Sequence, residues 1–217
     1  MSREYDERTT TFSPEGRLYQ VEYAMEAINN APCAIGILTK EGIAFGIEKK
    51  IISKLLAKIG ESEKVYAIDN HIMCAVAGLT SDANILLQNA RKNAQEYLYK
   101  YGQPKPVEEL VEYICRIKHS YTQVGGLRPF GVSFLFAGWD KIHGYQLYHS
   151  DPSGNFSGWK AHAIGSNSTL ARDMLKKDYK EEMTLEEAMM LEARVLFKTM
   201  DVSELSTDRM EFSVLRR

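Results

Sequence analysis

Residues 132–139, VSFLFAGW, constrain the fold of this chain more than any other segment, because they are largely apolar on both faces of a strand. A strand of this kind needs cover on both sides. Two strand-like pairs and two amphipathic helices precede it, and further strands, two helices and a last strand follow. Two antiparallel sheets packed together, with a helix pair outside each, would cover all of these apolar faces. The sequence therefore predicts an α+β fold, a four-layer αββα sandwich with two antiparallel sheets between helix layers.

Apolar spacing and turn residues give the bounds of the predicted elements. The predicted strands are residues 34–38, 43–47, 64–68, 72–77, 132–139, 144–149, 156–164 and 210–215. The predicted helices are residues 17–29, residues 83–101 after a Thr80-Ser81-Asp82 cap, Pro106 to the Gly125-Gly126 pair, residues 168–179, and residues 185–200 after a Thr184/Glu187 capping box. No repeat or linker interrupts this pattern, so residues 1–217 are expected to form a single domain.

Composition narrows the classes of function. The 27 basic and 29 acidic residues nearly balance, and no basic stripe of the kind that binds nucleic acid is present. The three cysteines, at positions 33, 74 and 115, lie far apart without a CxxC motif, which favours a reducing compartment. The N-terminus is polar, and no apolar run approaches the ~18 residues that span a bilayer. We therefore expect a soluble intracellular protein that binds neither nucleic acid nor membrane.

Metal and cofactor sites are not indicated. The five histidines are scattered along the chain with no pair four residues apart, so no metal site is expected. The glycines form neither a GxGxxG nor a GxxxxGK[ST] loop, so the sequence predicts no phosphate-binding loop and no cofactor.

Lys64 and Glu48 are the residues that most suggest catalysis. Lys64 begins a predicted strand and Glu48 ends an earlier one, and a lysine beside a carboxylate can lower the pKa of a nucleophile. From spacing alone, a solvated ion pair is the favoured interpretation.

Several long motifs, in the same order along the chain, resemble those of α-type subunits of the proteasome core particle. These motifs are Tyr5-Asp6, residues 9–28, Glu63-Lys64, residues 77–83 and residues 128–133. The resemblance covers essentially the whole chain. It implies the four-layer sandwich of N-terminal-nucleophile hydrolases, in agreement with the order of elements. It also implies a place in a heptameric α ring in the cytoplasm and nucleus, with other α subunits, the β ring, and a regulatory particle or other activators as partners. The implied role is in ATP- and ubiquitin-dependent protein degradation.

The resemblance also implies that the chain has no catalytic residues. In β-type relatives the first strand begins with a free N-terminal threonine, which attacks the peptide bond. That position falls at Pro32 or within one residue of it, and 31 residues precede Pro32. Proline has no hydroxyl, and Glu48 and Lys64 without their nucleophile would be inert. The resemblance therefore implies a non-catalytic subunit.

The N-terminal residues carry the gate that the resemblance implies. Residues 1–11 would lie over the axial pore as a gate tail, residues 12–29 would form a turn and a docking helix, and residues 30–217 would form the sandwich. Tyr5 and Asp6 are the implied anchors of the closed tail, while Pro14 and Tyr23 would position the turn from which the tail departs.

The resemblance also implies a docking pocket for activators. A lysine at the position of Lys64 lines an inter-subunit pocket in the family and pairs with the C-terminal carboxylate of an activator tail. Gly16, Gly78 and Leu79 fall at the wall of this pocket, where glycine permits close backbone approach.

Two other functions stay open at this point. A ring scaffold unrelated to proteolysis could share the amphipathic opening helix, although it would have no need of the Tyr5-Asp6, Ser13–Gly16 and Tyr23 combination. An active hydrolase processed internally would need a nucleophile exposed by cleavage. Cys33 is the one candidate near the first strand, and strand cysteines are usually buried hydrophobic residues.

Overall fold

The computed structural model describes residues 8–49, 64–200 and 209–217. Its helices are α1 (Tyr19–Asn29), α2 (Thr80–Tyr101), α3 (Val107–Gln123), α4 (Ser168–Asp178) and α5 (Leu185–Thr199). Its strands are β1 (Ala34–Leu38), β2 (Ile43–Glu48), β3 (Val65–Asp69), β4 (Ile72–Gly78), β5 (Val132–Asp140), β6 (Gly144–Ser150), β7 (Phe156–Gly158), β8 (Ala161–Ile164) and β9 (Met210–Leu215). None of the helices in these ranges combines the length and the apolar character needed to cross a membrane.

The described strands form two antiparallel sheets. One has the order β8-β1-β2-β9 and the other has the order β3-β4-β5-β6-β7. Helices α4 and α5 cover the outer face of the first sheet, and α2 and α3 cover the outer face of the second. The αββα sandwich predicted from the two-sided apolar strands is therefore confirmed.

Three apolar clusters correspond to the three interfaces between the four layers. The middle cluster joins the inner faces of both sheets and includes Phe45, Leu135 and Leu147. The outer clusters contain α2 with α3 on one side and α4 with α5 on the other. Phe134 and Phe136 point from β5 into the α2–α3 cluster, whereas Leu135 between them points into the middle cluster. This alternation explains why residues 132–139 are largely apolar on both faces of the strand.

Helix α1 lies against β4 and β5 of the second sheet. Val21 and Ile28 are buried on its inner face, while Leu18 and Met25 are half-buried. The predicted apolar stripe is therefore correct in its direction, although two of its four members keep part of their surface exposed. Tyr23, on the outer side, is 45% exposed and stacks on Tyr19.

The predicted strand 156–164 was wrong. The structure divides it into β7, which is the edge of one sheet, and β8, which is the edge of the other. Trp159 and Lys160 connect the two strands. Their backbone N–H and C=O groups bond to Leu147 and Leu38, which lie in different sheets. The chain passes from one sheet to the other here without interrupting the apolar spacing. The apolar pattern of residues 156–164 therefore could not reveal that two strands are present.

The start of α2 also differs from its prediction. Thr80-Ser81-Asp82 does not cap this helix, because the N-cap residue is Leu79 and no side chain makes a capping hydrogen bond there. Asp82 instead bonds to a neighbouring loop. Tyr101, predicted to be buried at the end of α2, is 53% exposed. Helix α2 ends before Gly102, as predicted. The predicted capping box of Thr184 and Glu187 on α5 is also confirmed.

Lys118 and Glu192 are fully buried in the helix–sheet layers. Lys118 on α3 donates from Nζ to the Val132 carbonyl oxygen at 3.0 Å and to Ser150 Oγ at 2.9 Å. Burial lowers the pKa of Lys118 to about 8. Glu192 on α5 packs against Gly46, and neither of its carboxyl oxygens has a hydrogen-bond partner among the residues that the structure describes. Burial raises the pKa of Glu192 well above its ordinary value.

Candidate gate and activator sites

Gly78 and Leu79 form a tight corner where β4 ends and α2 begins. Gly78 has φ +124°, and a Cβ atom on it would lie 2.2 Å from the Gly131 carbonyl oxygen. That same oxygen accepts a hydrogen bond from the Leu79 N–H at 2.9 Å. Only glycine fits both this backbone conformation and this approach. Leu79 consequently projects outward with 45% of its surface exposed.

Asp82 fixes the loop that faces this corner. Its carboxylate accepts two hydrogen bonds from the Arg128 guanidinium, at 2.6 and 2.9 Å, and one from the Gly131 N–H at 3.0 Å. These hydrogen bonds, that from Arg128 first, hold the pKa of Asp82 below its ordinary value despite burial. The bidentate pair joins the start of α2 to the segment before β5. The exposed Leu79 side chain is therefore presented from a rigid corner.

Lys64 lies at the same end of the second sheet. It immediately precedes β3, and its carbonyl oxygen accepts a hydrogen bond from the Val76 N–H at 3.0 Å. Val76 is two residues before Gly78 on β4. The side chain of Lys64 is half-buried, and its charge acts on the thiol of Cys33. The fold thus brings Lys64, Gly78 and Leu79 to one edge of the sandwich, as the proposed pocket requires.

The turn before α1 is a closed structure. The Gly16 N–H donates to the Ser13 carbonyl oxygen at 2.9 Å, and the Ser13 N–H donates to the Arg17 carbonyl oxygen at 2.9 Å. Ser13 Oγ also accepts from the Arg17 N–H at 3.1 Å, and Gly16 has φ +77°. Pro14 is exposed at the tip. The turn predicted at Ser13–Gly16 is therefore confirmed.

The predicted site residues fall into two groups in a single chain. Lys64, Gly78 and Leu79 form one group at the β3–β4 end, whereas Pro14 and Gly16 belong to the separate turn before α1. A pocket between neighbouring subunits would draw its walls from both places. Tyr5 and Asp6 lie outside the described residues.

Where β-type relatives carry their nucleophile, this chain has two hydrogen bonds between Cys33 and Glu48. The Cys33 N–H donates to Glu48 Oε2 at 3.2 Å, and the Glu48 N–H donates to the Cys33 carbonyl oxygen at 2.9 Å. Burial, and then the charge of Glu48, raise the pKa of the Cys33 thiol to about 12. A reactive cysteine needs an accessible thiolate, and Cys33 is fully buried. Glu48 therefore bonds to the backbone here, and the proposal of a nucleophile at Cys33 finds no support.

Two features of the described structure were not predicted from the sequence. The pairing of Asp82 with Arg128 joins residues 46 positions apart, and the capping pattern at residues 80–82 concealed it. His149 and His162 were treated as scattered, but β6 and β8 bring their rings together across the two sheets with centroids 4.5 Å apart. Among the residues that the structure describes, no group of three or more histidine, cysteine or carboxylate side chains could hold a metal ion.

Two protein-family models together match residues 5–215 of the chain. The model for proteasome subunits matches residues 28–215, and the model for the N-terminal signature of proteasome A subunits matches residues 5–27. The second match spans the turn and helix α1, and the first spans the sandwich.

Curated relatives match along nearly the same length. "Proteasome subunit alpha type-4-A" of Arabidopsis thaliana is 61% identical over 213 residues, which is 98% of this chain and 85% of that protein. "Proteasome subunit alpha type-4" of Spinacia oleracea is 60% identical over 213 residues, with the same two coverages. The type-4 resemblance that residues 138–168 and 198–206 suggest is thus confirmed. The chain belongs to the proteasome subunit family and is a non-catalytic subunit of the α type, similar to the type-4 subunits of plants.

Proposed function

We propose that this subunit forms part of a heptameric α ring stacked on a β ring, gates the entry of substrates, and docks activators. In this proposal it works with a regulatory particle or other activators in ATP- and ubiquitin-dependent degradation, in the cytoplasm and nucleus. The observation that carries the proposal is the match of residues 5–27 to the α-type N-terminal signature. That segment contains the closed turn and helix α1.

The geometry of the turn supports a gating role. Three backbone and side-chain hydrogen bonds close it, so helix α1 is preceded by a fixed turn at residues 13–17. Arg17 braces the next residues, since its guanidinium bonds to Glu22 and lies 5.3 Å from the centre of the Tyr19 ring. A rigid base with a hydroxyl-rich tail would let contacts with neighbouring tails decide whether the pore is closed.

Deletion of residues 2–9 should raise the basal hydrolysis of small peptides by assembled core particles several-fold. The tail would no longer cross the pore, while the active sites on β subunits would be unchanged. The measurement is the rate of peptide hydrolysis by purified particles with and without activator, normalised by an active-site probe. Tyr23→Ala is the contrasting variant, because it keeps the tail and should instead reduce opening by the activator. Equal basal rates for the wild type and the deletion would refute the gate assignment.

Lys64→Ala should reduce stimulation by tail-docking activators several-fold, while the particle still assembles. A lysine is a point charge suited to a terminal carboxylate, and alanine removes that charge. Stimulation should be measured over a range of activator concentrations. Lys177→Ala is the matched control, because Lys177 is an exposed lysine on α4, away from β3 and β4. Full stimulation of the Lys64→Ala particle would mean that this residue does not dock activators.

A further inference from the structure

A cleft lies between β6 of one sheet and β8 of the other, with α4 along one side. It has two adjoining lobes of about 720 and 260 Å³. The larger lobe reaches Trp159 in the β7–β8 connection, and the smaller reaches Met25 on α1. His149, His162 and Arg172 line both lobes, so they lie where the lobes meet. Clefts of this size hold small ligands.

His162 is the unusual residue in this cleft. It is 3% exposed, yet neither of its ring nitrogens has a hydrogen-bond partner in the part of the chain that the structure describes. Its ring lies between those of Trp159 and His149, with centroids 4.2 and 4.5 Å away. These two tilted ring contacts hold His162 in the lining of the cleft. Burial of a polar group without a hydrogen-bond partner costs free energy, and a ligand that bonds to His162 would remove that cost.

Positive charge and the N-terminus of α4 lie on the same side of the cleft. Arg172 forms no ion pair with any described residue, and its recorded hydrogen bond is to Thr169 Oγ1 at 3.3 Å. Ser168, the first residue of α4, lines the smaller lobe. No side chain caps this helix, because the N-cap residue Asn167 donates to the Thr199 carbonyl oxygen instead. An uncapped helix N-terminus and a guanidinium both favour an anion.

The one acidic residue where the lobes meet is Asp151. Its Oδ1 atom accepts hydrogen bonds from the Ser153 N–H at 2.9 Å and from Ser153 Oγ at 2.5 Å, and from the Asn155 N–H at 3.3 Å. This carboxylate is therefore part of the β6–β7 turn. The charge of Arg172 is not paired with it in the structure.

We propose that this cleft is a binding site for the phosphate or carboxylate group of a small molecule, held by Arg172, His162 and the N-terminus of α4. Arg172 would supply two parallel N–H donors, and His162 would supply one more from the floor of the cleft. Trp159, 41% exposed, offers a ring face beside which a planar part of the ligand could lie. The site is independent of the gate and of activator docking.

The test is titration of the isotope-labelled full chain with inorganic phosphate, AMP or acetate at constant ionic strength, followed by the NMR signal of the Trp159 indole. At least one of the three should shift this signal to saturation below about 10 mM. Tighter binding of AMP than of phosphate would identify a phosphorylated planar ligand as the source, whereas equal affinities would mean that only the oxyanion is recognised. A preference for acetate would identify a carboxylate ligand.

Variants test whether the named residues form the site. Arg172→Gln should weaken binding at least tenfold, and Arg172→Lys, which keeps the charge but loses the fork, should weaken it less. His162→Phe keeps an aromatic ring at this position without its nitrogens and should weaken binding several-fold. Arg194→Gln, on the exposed side of α5, is the matched control and should bind as the wild type does. Absence of saturation with all three probes, or undiminished binding by Arg172→Gln, would overturn the proposal.

Discussion

Gly78→Ala should lower the free energy of unfolding by roughly 4 kcal/mol or more, placing it among the most damaging single substitutions. Two effects combine at this position. The backbone has φ +124°, which residues with a Cβ rarely adopt, and the new Cβ would lie 2.2 Å from the Gly131 carbonyl oxygen. Relief of this clash would have to move β5 or the start of α2. The hydrogen bond from the Leu79 N–H to the Gly131 carbonyl oxygen would be disturbed in either case.

Gly102→Ala is the matched control for this prediction. Gly102 also has a positive φ, +67°, but a Cβ atom there would meet no heavy atom within 4 Å. Its replacement should therefore cost only about 1 kcal/mol, the strain of the left-handed conformation alone. Denaturant unfolding of both variants gives the comparison. Similar losses for the two would show that the approach of Gly131 is not what requires glycine at position 78.

This result bears on the activator pocket as well. If Gly78 is required by the local fold, variants of Gly78 that lose activator docking cannot be interpreted as loss of a contact. Lys64 is the cleaner probe, because its side chain is half-buried at the edge and leaves the backbone unchanged when it is truncated.

The second large effect is a loss of stability in mild acid, caused by His149 and His162. Burial lowers the pKa of His149 to about 4 and that of His162 to about 3, from an ordinary value of 6.5. Below pH 6.5 the unfolded chain therefore binds protons that the folded chain does not. Each histidine should lower the free energy of unfolding by about 1.4 kcal/mol for every pH unit between pH 6.5 and its pKa in the folded chain.

Glu192 acts in the opposite direction over part of this range. Because burial raises its pKa above the ordinary 4.5, the folded chain keeps a proton that the unfolded chain releases above that pH. Its contribution to stability is fully present below pH 4.5 and declines as the pH rises. On acidification toward pH 4.5 it therefore opposes the effect of the histidines. The lowered pKa values of Asp82 and Asp140 change the stability only below about pH 3.8, which is the ordinary pKa of an aspartate.

These opposing terms predict the behaviour of two variants between pH 6.5 and pH 4.5. The wild type should lose stability as the pH falls, because the two histidines together outweigh the opposing effect of Glu192. His162→Phe should reduce this loss by about 1.4 kcal/mol per pH unit, and Glu192→Gln should increase the loss. Urea unfolding at several pH values, in a buffer without phosphate, measures all three. A wild type as stable at pH 5 as at pH 6.5, or an unchanged slope in His162→Phe, would contradict the burial of these rings as neutral groups.

Much of the fold could be predicted from the sequence, because periodic features encode it locally. The two-sided apolar pattern of residues 132–139 predicted a sheet covered on both faces, and the structure has Phe134, Leu135 and Phe136 buried in alternating layers. The turn at Ser13–Gly16 was predictable from local residues, since proline presets φ and glycine accepts a positive φ.

The remaining features depend on distant residues that meet only in the folded chain. Asp82 looked like a helix cap, and nothing in the local sequence shows that Arg128 and Gly131 would bind it instead. The pairing of His149 with His162 likewise arises because β6 and β8 are in different sheets that happen to face each other. The positions of Gly16 and Lys64 raise a similar difficulty, since the predicted activator pocket would lie between two subunits and a single chain would not form it.

Native mass spectrometry of the chain co-expressed with the six other types of α subunit tests the central claim most directly. The account predicts heptameric rings that contain this subunit, together with complexes that include β subunits when these are also expressed. Recovery of the folded chain only as a monomer, or only as oligomers of itself, while the other subunits assemble without it, would contradict membership of the α ring.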